Sequence, residues 1–275
     1  MTSQDEINQA TWSAQAGDFA AEGWLDPAEP AAFVAAADLT RGRPVLDLGV
    51  GAGRTTSLLR VLSPSYVGVD YNPEMLALAR RRHPREDLRL LDVRDLSALA
   101  PSSFGLVVMS NNGLDAIPHQ DRPAALAGMR RVLRPDGCLL LTALNKEGPL
   151  YDCRPGAVPS PTWRSHLIQG YPQGTEPPSA PLPTDAFTRS LRNWRKLSRL
   201  SEDHGEWAVA PLPAYEFGVL AHFATLDWLR REMSDAGFEV RIVWGCESPS
   251  PLPDAATRSA ALYFYLLGVP APVTD

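Results

Sequence analysis

The sequence predicts an α/β protein built on a doubly wound, mostly parallel sheet. Three observations carry that reading. Between residues 44 and 145 short β-rich apolar runs alternate with segments of helical periodicity, a glycine-rich turn follows the first of those runs, and the same alternation resumes near the C-terminus. Taken in order, residues 6–37 read as helices carrying Trp12, Phe19, Trp24 and Phe33. Strands are expected at 45–48, 66–70, 88–92, 105–109 and 138–144, with helical spacing at 54–62, 73–82 and 122–133. Pro73 suits a helix start, where its missing N–H is no loss, and Pro135-Asp136-Gly137 makes the turn into the fifth strand. After Asn145 the alternation stops. Residues 148–183 are crowded with proline and carry Tyr151, Trp163 and Tyr171, the pattern of a functional cover or a disordered connection. Residues 186–200 are amphipathic, with Leu191, Trp194, Leu197 and Leu200 on one face and Arg189, Arg192, Arg195, Lys196 and Arg199 elsewhere. That basic set is either a solvated face or a patch recruiting an anion. A helix at 226–236 stopped by Gly237, a strand at 238–244 and an apolar run at 261–267 complete the chain.

Composition narrows the function. The 275 residues, 44% hydrophobic and 21% charged, suffice to bury a core without disulfides or structural metals. Lys and Arg number 26 against 32 Asp and Glu, so no general basic field exists to hold a polynucleotide, and nucleic acid is not an expected partner. Cys138, Cys153 and Cys246 lack metal-ligand spacing, so neither zinc nor a disulfide framework is indicated and no metal is expected. The segment MTSQDEINQATW lacks the basic start and apolar run of a signal peptide, and the apolar runs are strand-length. A cytoplasmic location without a membrane partner is therefore expected.

The most informative segment runs from Val45 through Asp47-Leu48-Gly49-Val50-Gly51-Ala52-Gly53 to Arg54. A buried strand enters a glycine turn that opens a helix, which lets backbone N–H groups approach a ligand and favours negative charge. Asp70 ends the second strand about twenty residues on, where an acid can accept ribose hydroxyls. A dinucleotide fingerprint, G-x-G-x-x-G, requires its third glycine at the position of Arg54. The spacing here is Asp-x-Gly-x-Gly-x-Gly instead, which weakens a nicotinamide reading.

That turn resembles the first motif of the class I S-adenosylmethionine-dependent methyltransferases. Five further segments follow in the family's order: Val69-Asp70-Tyr71-Asn72-Pro73, Leu91-Asp92-Val93, Val107-Val108-Met109-Ser110-Asn111, the turn Arg131-Val132-Leu133-Arg134-Pro135-Asp136-Gly137, and the late Ala236-Gly237-Phe238. Asp136 stands where the family usually has glycine. The resemblance implies one domain with a seven-stranded Rossmann-like sheet, mostly parallel with an antiparallel last strand. It divides the chain into an N-terminal helical cap (1–43), a cofactor-binding core (44–145), a lid insertion (146–222) and a C-terminal core (223–275). It also implies S-adenosyl-L-methionine as cofactor and S-adenosyl-L-homocysteine as product. Gly49, Gly51 and Gly53 would shape the turn around the methionine half and Asp47 would hold it. Asp70 would bind ribose, Tyr71 would lie against adenine, Asp92 and Val93 would read the adenine edge, and Ser110 and Asn111 would sit beside the sulfonium. Each has a local alternative: Asp92 as a cap, Ser110 as a backbone partner, Tyr71 as packing.

A hydroxyl acceptor must lose a proton, which calls for a base. His222, in Ala221-His222-Phe223 ahead of the late helix, is the first candidate and competes with a packing role; Tyr215, His204, Glu216 and Asp115 follow. His83, His119 and His166 read as surface residues. Trp163, Phe187, Trp194, Trp207 and Tyr215, with Trp12 and Trp24, either wall an apolar substrate pocket or form a small core. The expected activity is methylation of a small or medium-sized organic acceptor, O-methylation ahead of N-methylation, in a setting such as natural-product biosynthesis. A homodimer is a possible assembly. The rivals are a catalytically silent scaffold subunit and a cofactor-binding enzyme of another reaction type.

Overall fold

The computed structural model describes residues 3–19, 25–40, 42–157 and 184–272. Trp24, Trp163, His166 and Tyr171 lie outside the described residues, as does most of the proline-rich stretch.

Two helices, α1 (Gln4–Phe19) and α2 (Ala28–Thr40), precede the sheet. The core then runs β1 (Val45–Leu48), α3 (Thr56–Leu62), β2 (Tyr66–Asp70), α4 (Pro73–Arg82), β3 (Asp87–Leu90), β4 (Phe104–Met109), α5 (Arg122–Val132) and β5 (Leu133–Leu144). After the insertion come α6 (Thr184–Leu197), β6 (Glu202–Asp203), β7 (Trp207–Leu212), β8 (Val219–Ala224), α7 (Leu226–Asp235), β9 (Phe238–Gly245) and β10 (Tyr263–Pro270). Seven strands form one sheet in the order β3-β2-β1-β4-β5-β10-β9, with β10 antiparallel to both neighbours. The expected fold class is therefore the observed one.

The two-sided burial of the strands explains the sequence pattern. Val108 packs on one face with Phe33, Tyr66 and Leu140; Val107 packs on the other with Leu126, Met129 and Leu139. A strand buried on both sides has no polar face, so it reads as an apolar run. Pro73 stands at the first position of α4, and Asn72 before it accepts from the N–H groups of Glu74 and Met75, both at 3.0 Å. Two of the shifted boundaries have a local cause. Strand β3 ends at Leu90 because Asp92 bends the chain by accepting from Arg94 N. Strand β5 begins at Leu133: pairing starts at Phe104↔Leu133, breaks over the Pro135-Asp136-Gly137 bulge, and resumes at Leu106↔Cys138.

The part of the insertion nearest the C-terminal core carries regular structure. Strands β6, β7 and β8 form a second, antiparallel sheet, and β8 spans the expected lid boundary at 222. Because β1 pairs with β2 on one side and β4 on the other, the chain reverses direction across the sheet at β1. The crevice at the carboxyl ends of β1 and β4 is the place where such sheets bind ligands.

Candidate functional site

A cavity of about 470 Å³ opens at that crevice. Its floor is the glycine turn, where Gly49, Gly51 and Gly53 have φ of 67°, 55° and 82°. An L-residue in this left-handed region crowds its own backbone, so glycine occupies it at the least cost. Gly49 and Gly51 face the cavity, and a Cβ added to either meets nothing closer than 3.8 Å. Gly53 serves differently: an added Cβ would lie 2.5 Å from the His83 ring, whose Nε2 bonds the Gly53 carbonyl at 2.8 Å. His83, expected at the surface, braces the turn.

Asp70 lies in the cavity wall, 7% exposed, and accepts from Gly51 N and Asn72 N at 2.8 Å each. Burial raises its pKa, and the N–H groups of Asn72, Gly51 and Tyr71 oppose that rise. It therefore fixes the turn and presents a carboxylate edge to the cavity. Asp47 departs from the expected role of holding a ligand. Its side chain is buried beneath the turn, accepting from Tyr66 Oη at 2.8 Å and Thr55 Oγ1 at 3.1 Å, and is not part of the cavity wall. Burial pushes its carboxyl up to about 6.

Tyr71, Asp92 and Val93 line one side of the cavity, and Trp12 of α1 meets Tyr71 edge-on at 6.1 Å. Asp92 shows both readings at once, lining the cavity and accepting from Arg94 Nε at 2.9 Å. Its burial would raise the carboxyl, but the hydrogen bonds and charge of Arg94 hold it below the ordinary range. Ser110 and Asn111 line the opposite side after β4. Asn111 and Asn112 are both left-handed, with φ of 53° and 59°. Asn112 also lines the cavity, and its Oδ1 is buried without a hydrogen-bond partner among the described residues. Such an oxygen suits an N–H donor supplied by a ligand.

Beyond the turn, the wall contains groups that the sequence did not single out. Arg54 is held by Glu29 of α2 through two contacts of 2.6 and 2.8 Å and reaches Ser110 Oγ at 3.4 Å. Asp26, 6% exposed, accepts from the hydroxyls of Tyr263 and Tyr265 at 2.5 Å each, and both Asp26 and Tyr263 line the cavity. Burial, then Tyr265 and Asp26, hold the Tyr263 phenol protonated well above its usual range. Leu144, Leu150, Leu212 and Val219 make the surroundings apolar.

The two expected bases separate. Tyr215 lines the cavity and packs with Trp12 against Ala52 and Met75. His222 does not line it. Val219 and Ala221 of β8 face the cavity, and strand alternation turns His222 to the opposite face. There it is fully buried, with Nε2 3.2 Å from His119 Nδ1 and its ring stacked on Trp207 at 5.3 Å. Burial and the nearby Arg122 guanidinium push its pKa far down, so it stays neutral. Trp207 stands outside the cavity, stacked between His119 and His204. Of the expected aromatic wall, Trp12 and Tyr215 line the cavity, while Phe187 and Trp194 do not. Among the described residues no cluster of three His, Cys, Asp or Glu could hold a metal, and no helix is long and apolar enough to cross a membrane.

The chain is similar to known proteins in sequence and in fold. Residues 45–137 match the family described as a methyltransferase domain. The chain is 29% identical over 195 residues to trans-aconitate 2-methyltransferase of Methylobacterium nodulans, covering 68% of this chain and 66% of that protein. It is 32% identical over 120 residues to a ubiquinone biosynthesis O-methyltransferase of Xanthomonas campestris pv. campestris, covering 42% of this chain and 48% of that protein. The chain thus spans from about half to just under two thirds of the length of these relatives. Among solved structures, 1,6-didemethyltoxoflavin-N1-methyltransferase of Burkholderia thailandensis, with S-adenosylhomocysteine bound, superposes with a TM-score of 0.56 at 17% identity. That likeness covers 96% of this chain and 87% of the other and concerns the fold.

Proposed function

We propose that this chain, which carries a methyltransferase domain match over residues 45–137, is a class I S-adenosylmethionine-dependent methyltransferase that methylates a small or medium-sized organic acceptor, with O-methylation favoured. One observation carries this reading: a single cavity is lined both by the glycine turn with Asp70 and by the Asp26–Tyr263 pair. The residues fit the cofactor. Gly49 and Gly51 line the cavity with no side chain of their own where the methionine half would lie, Asp70 offers a carboxylate to the ribose, Tyr71 and Asp92 flank the adenine region, and the orphaned Asn112 Oδ1 suits an ammonium. When bound, S-adenosylmethionine supplies an electrophilic methyl group on a sulfonium.

The protein's own residues bind, orient and exclude water. Apolar side chains at the acceptor end strip solvent from the nucleophile, and alignment in a closed site supplies roughly 7–11 kcal/mol in well-oriented cases. For a hydroxyl acceptor the proton has a path that His222 does not provide. The Tyr263 oxygen accepts it while the phenol's own proton moves to Asp26, 2.5 Å away. This relay and the O-methyltransferase relative support oxygen as the methylated atom. The test is calorimetry with S-adenosylmethionine, S-adenosylhomocysteine and NADH, followed by radiolabelled methyl transfer to catechol and trans-aconitate. Binding of both sulfur nucleosides and not NADH is expected. NADH binding in their place would overturn the reading.

A further inference from the structure

The cofactor end of the cavity has a roof, and the roof is held under backbone strain. Tyr215 sits in a turn, Ala214–Phe217, in which Tyr215, Glu216 and Phe217 have φ of 57°, 53° and 59°. Three consecutive non-glycine residues in the left-handed region do not persist unless neighbours hold them. Two helices do so. From α6, Arg189 grips the Glu216 carboxylate through Nε and Nη2, both at 2.8 Å, and Asn193 Nδ2 donates to the Glu216 carbonyl at 3.0 Å. From α1, Thr11 Oγ1 donates to the Gly218 carbonyl at 2.7 Å, and Asn8 exchanges two hydrogen bonds with Leu220, each 2.9 Å. The turn clamped between these helices presses Tyr215 against Ala52 of the glycine turn and Met75 at the start of α4, beside Trp12.

We infer that Arg189, Asn193 and Glu216 are positioning residues whose contacts keep Tyr215 closed over the bound nucleoside. The inference rests on the cofactor reading above. Release of the α6 grip lets the strained turn relax, and the roof lifts without disturbing the α1 side. Arg189 also bonds Asp185 at 3.0 Å, so its helix-side anchor survives loss of the Glu216 contact. The geometry assigns retention of the cofactor to the insertion and recognition of it to the glycine turn and Asp70.

The test is stopped-flow binding of S-adenosylhomocysteine to the full chain, wild type against Arg189→Ala, Glu216→Gln and the double variant. Both singles should raise the dissociation rate about threefold, the scale of coupling in partly exposed ion pairs, with the association rate unchanged. The double variant should match the singles rather than multiply them. Arg189 is 44% exposed, so its removal leaves the core intact. Binding with an unchanged dissociation rate in the singles, or additive effects in the double, overturns the positioning role alone. Absence of binding by the wild type overturns the cofactor reading and this inference with it.

Discussion

Asp70→Ala tests whether one carboxylate both builds the turn and receives the ligand. In the structure Asp70 accepts from Gly51 N and Asn72 N at 2.8 Å each, and both residues border the cavity. A buried N–H left without an acceptor costs about 1–3 kcal/mol, and water entering from the cavity places each of these near the lower end. The expected loss of stability is therefore about 2 kcal/mol, read from urea unfolding. Cofactor affinity loses hydrogen bonds to an ionised acceptor, worth about 1.5–3 kcal/mol, so binding of S-adenosylhomocysteine should weaken about tenfold to a hundredfold in calorimetry. Asp70→Asn separates the two roles, because the amide oxygen still accepts one backbone N–H while the charge is gone. It should recover part of the stability and little of the affinity. Affinity within twofold of wild type in either variant would show that Asp70 is a brace for the turn and nothing more.

Other perturbations probe the surroundings. His222→Phe should leave S-adenosylhomocysteine affinity and any methyl-transfer pH profile unchanged, since the side chain faces away from the cavity; loss of a limb of that profile would restore His222 as a base. Arg122, fully buried between Glu232 at 2.7 Å and Asp115 at 3.2 Å, should cost about 3–5 kcal/mol on Arg122→Met, because two carboxylates lose their counter-charge; a change under 1 kcal/mol in chemical unfolding would contradict that pairing. Asp47 has its carboxyl raised from 3.8 to about 6, so its protonated form contributes stability that is complete below pH 3.8 and is lost as the pH rises through 6. Asp47→Asn removes this dependence, and the stability of wild type relative to the variant should fall by about 2–3 kcal/mol between pH 4 and 7. A constant difference across that range would mean that Asp47 is ionised throughout.

The core sheet was legible because each of its signals is local. The run Val45 to Leu48 is apolar save for Asp47, and the glycines after it are favoured by φ. Pro73 and Asn72 mark the start of α4 by capping chemistry that needs no distant partner. The second sheet carries no comparable mark. Strand β7 contains Pro211, which ordinarily argues against a strand. The structure removes the objection: β6 pairs only with Ala208 and Val209, so Pro211 lies on an unpaired edge and needs no N–H toward that side. Strand β8 is buried along its whole length, so its sequence, Val219 to Ala224, shows no alternation to read.

The same physics divides the site. Asp70, Tyr71, Asp92, Val93, Ser110 and Asn111 sit at or just beyond strand ends in one sheet, and their positions follow once the strands are found. His222 was placed by its nearness to the late helix, yet its use depends on which face of β8 it occupies, and a shift of one residue reverses that face. The Asp26–Tyr263 pair joins groups 237 residues apart in the chain, one before α2 and the other at the start of β10. Neither has a local signature, and they meet because β10 inserts antiparallel beside β5 and brings Tyr263 opposite Leu144 at the rim of the cavity. On the proposed function, the cofactor end is thus written in the turns that follow single strands. The acceptor end and the roof would then be written in contacts between the cap, the insertion and the last strand, so acceptor choice could change through those three elements while the glycine turn stays as it is.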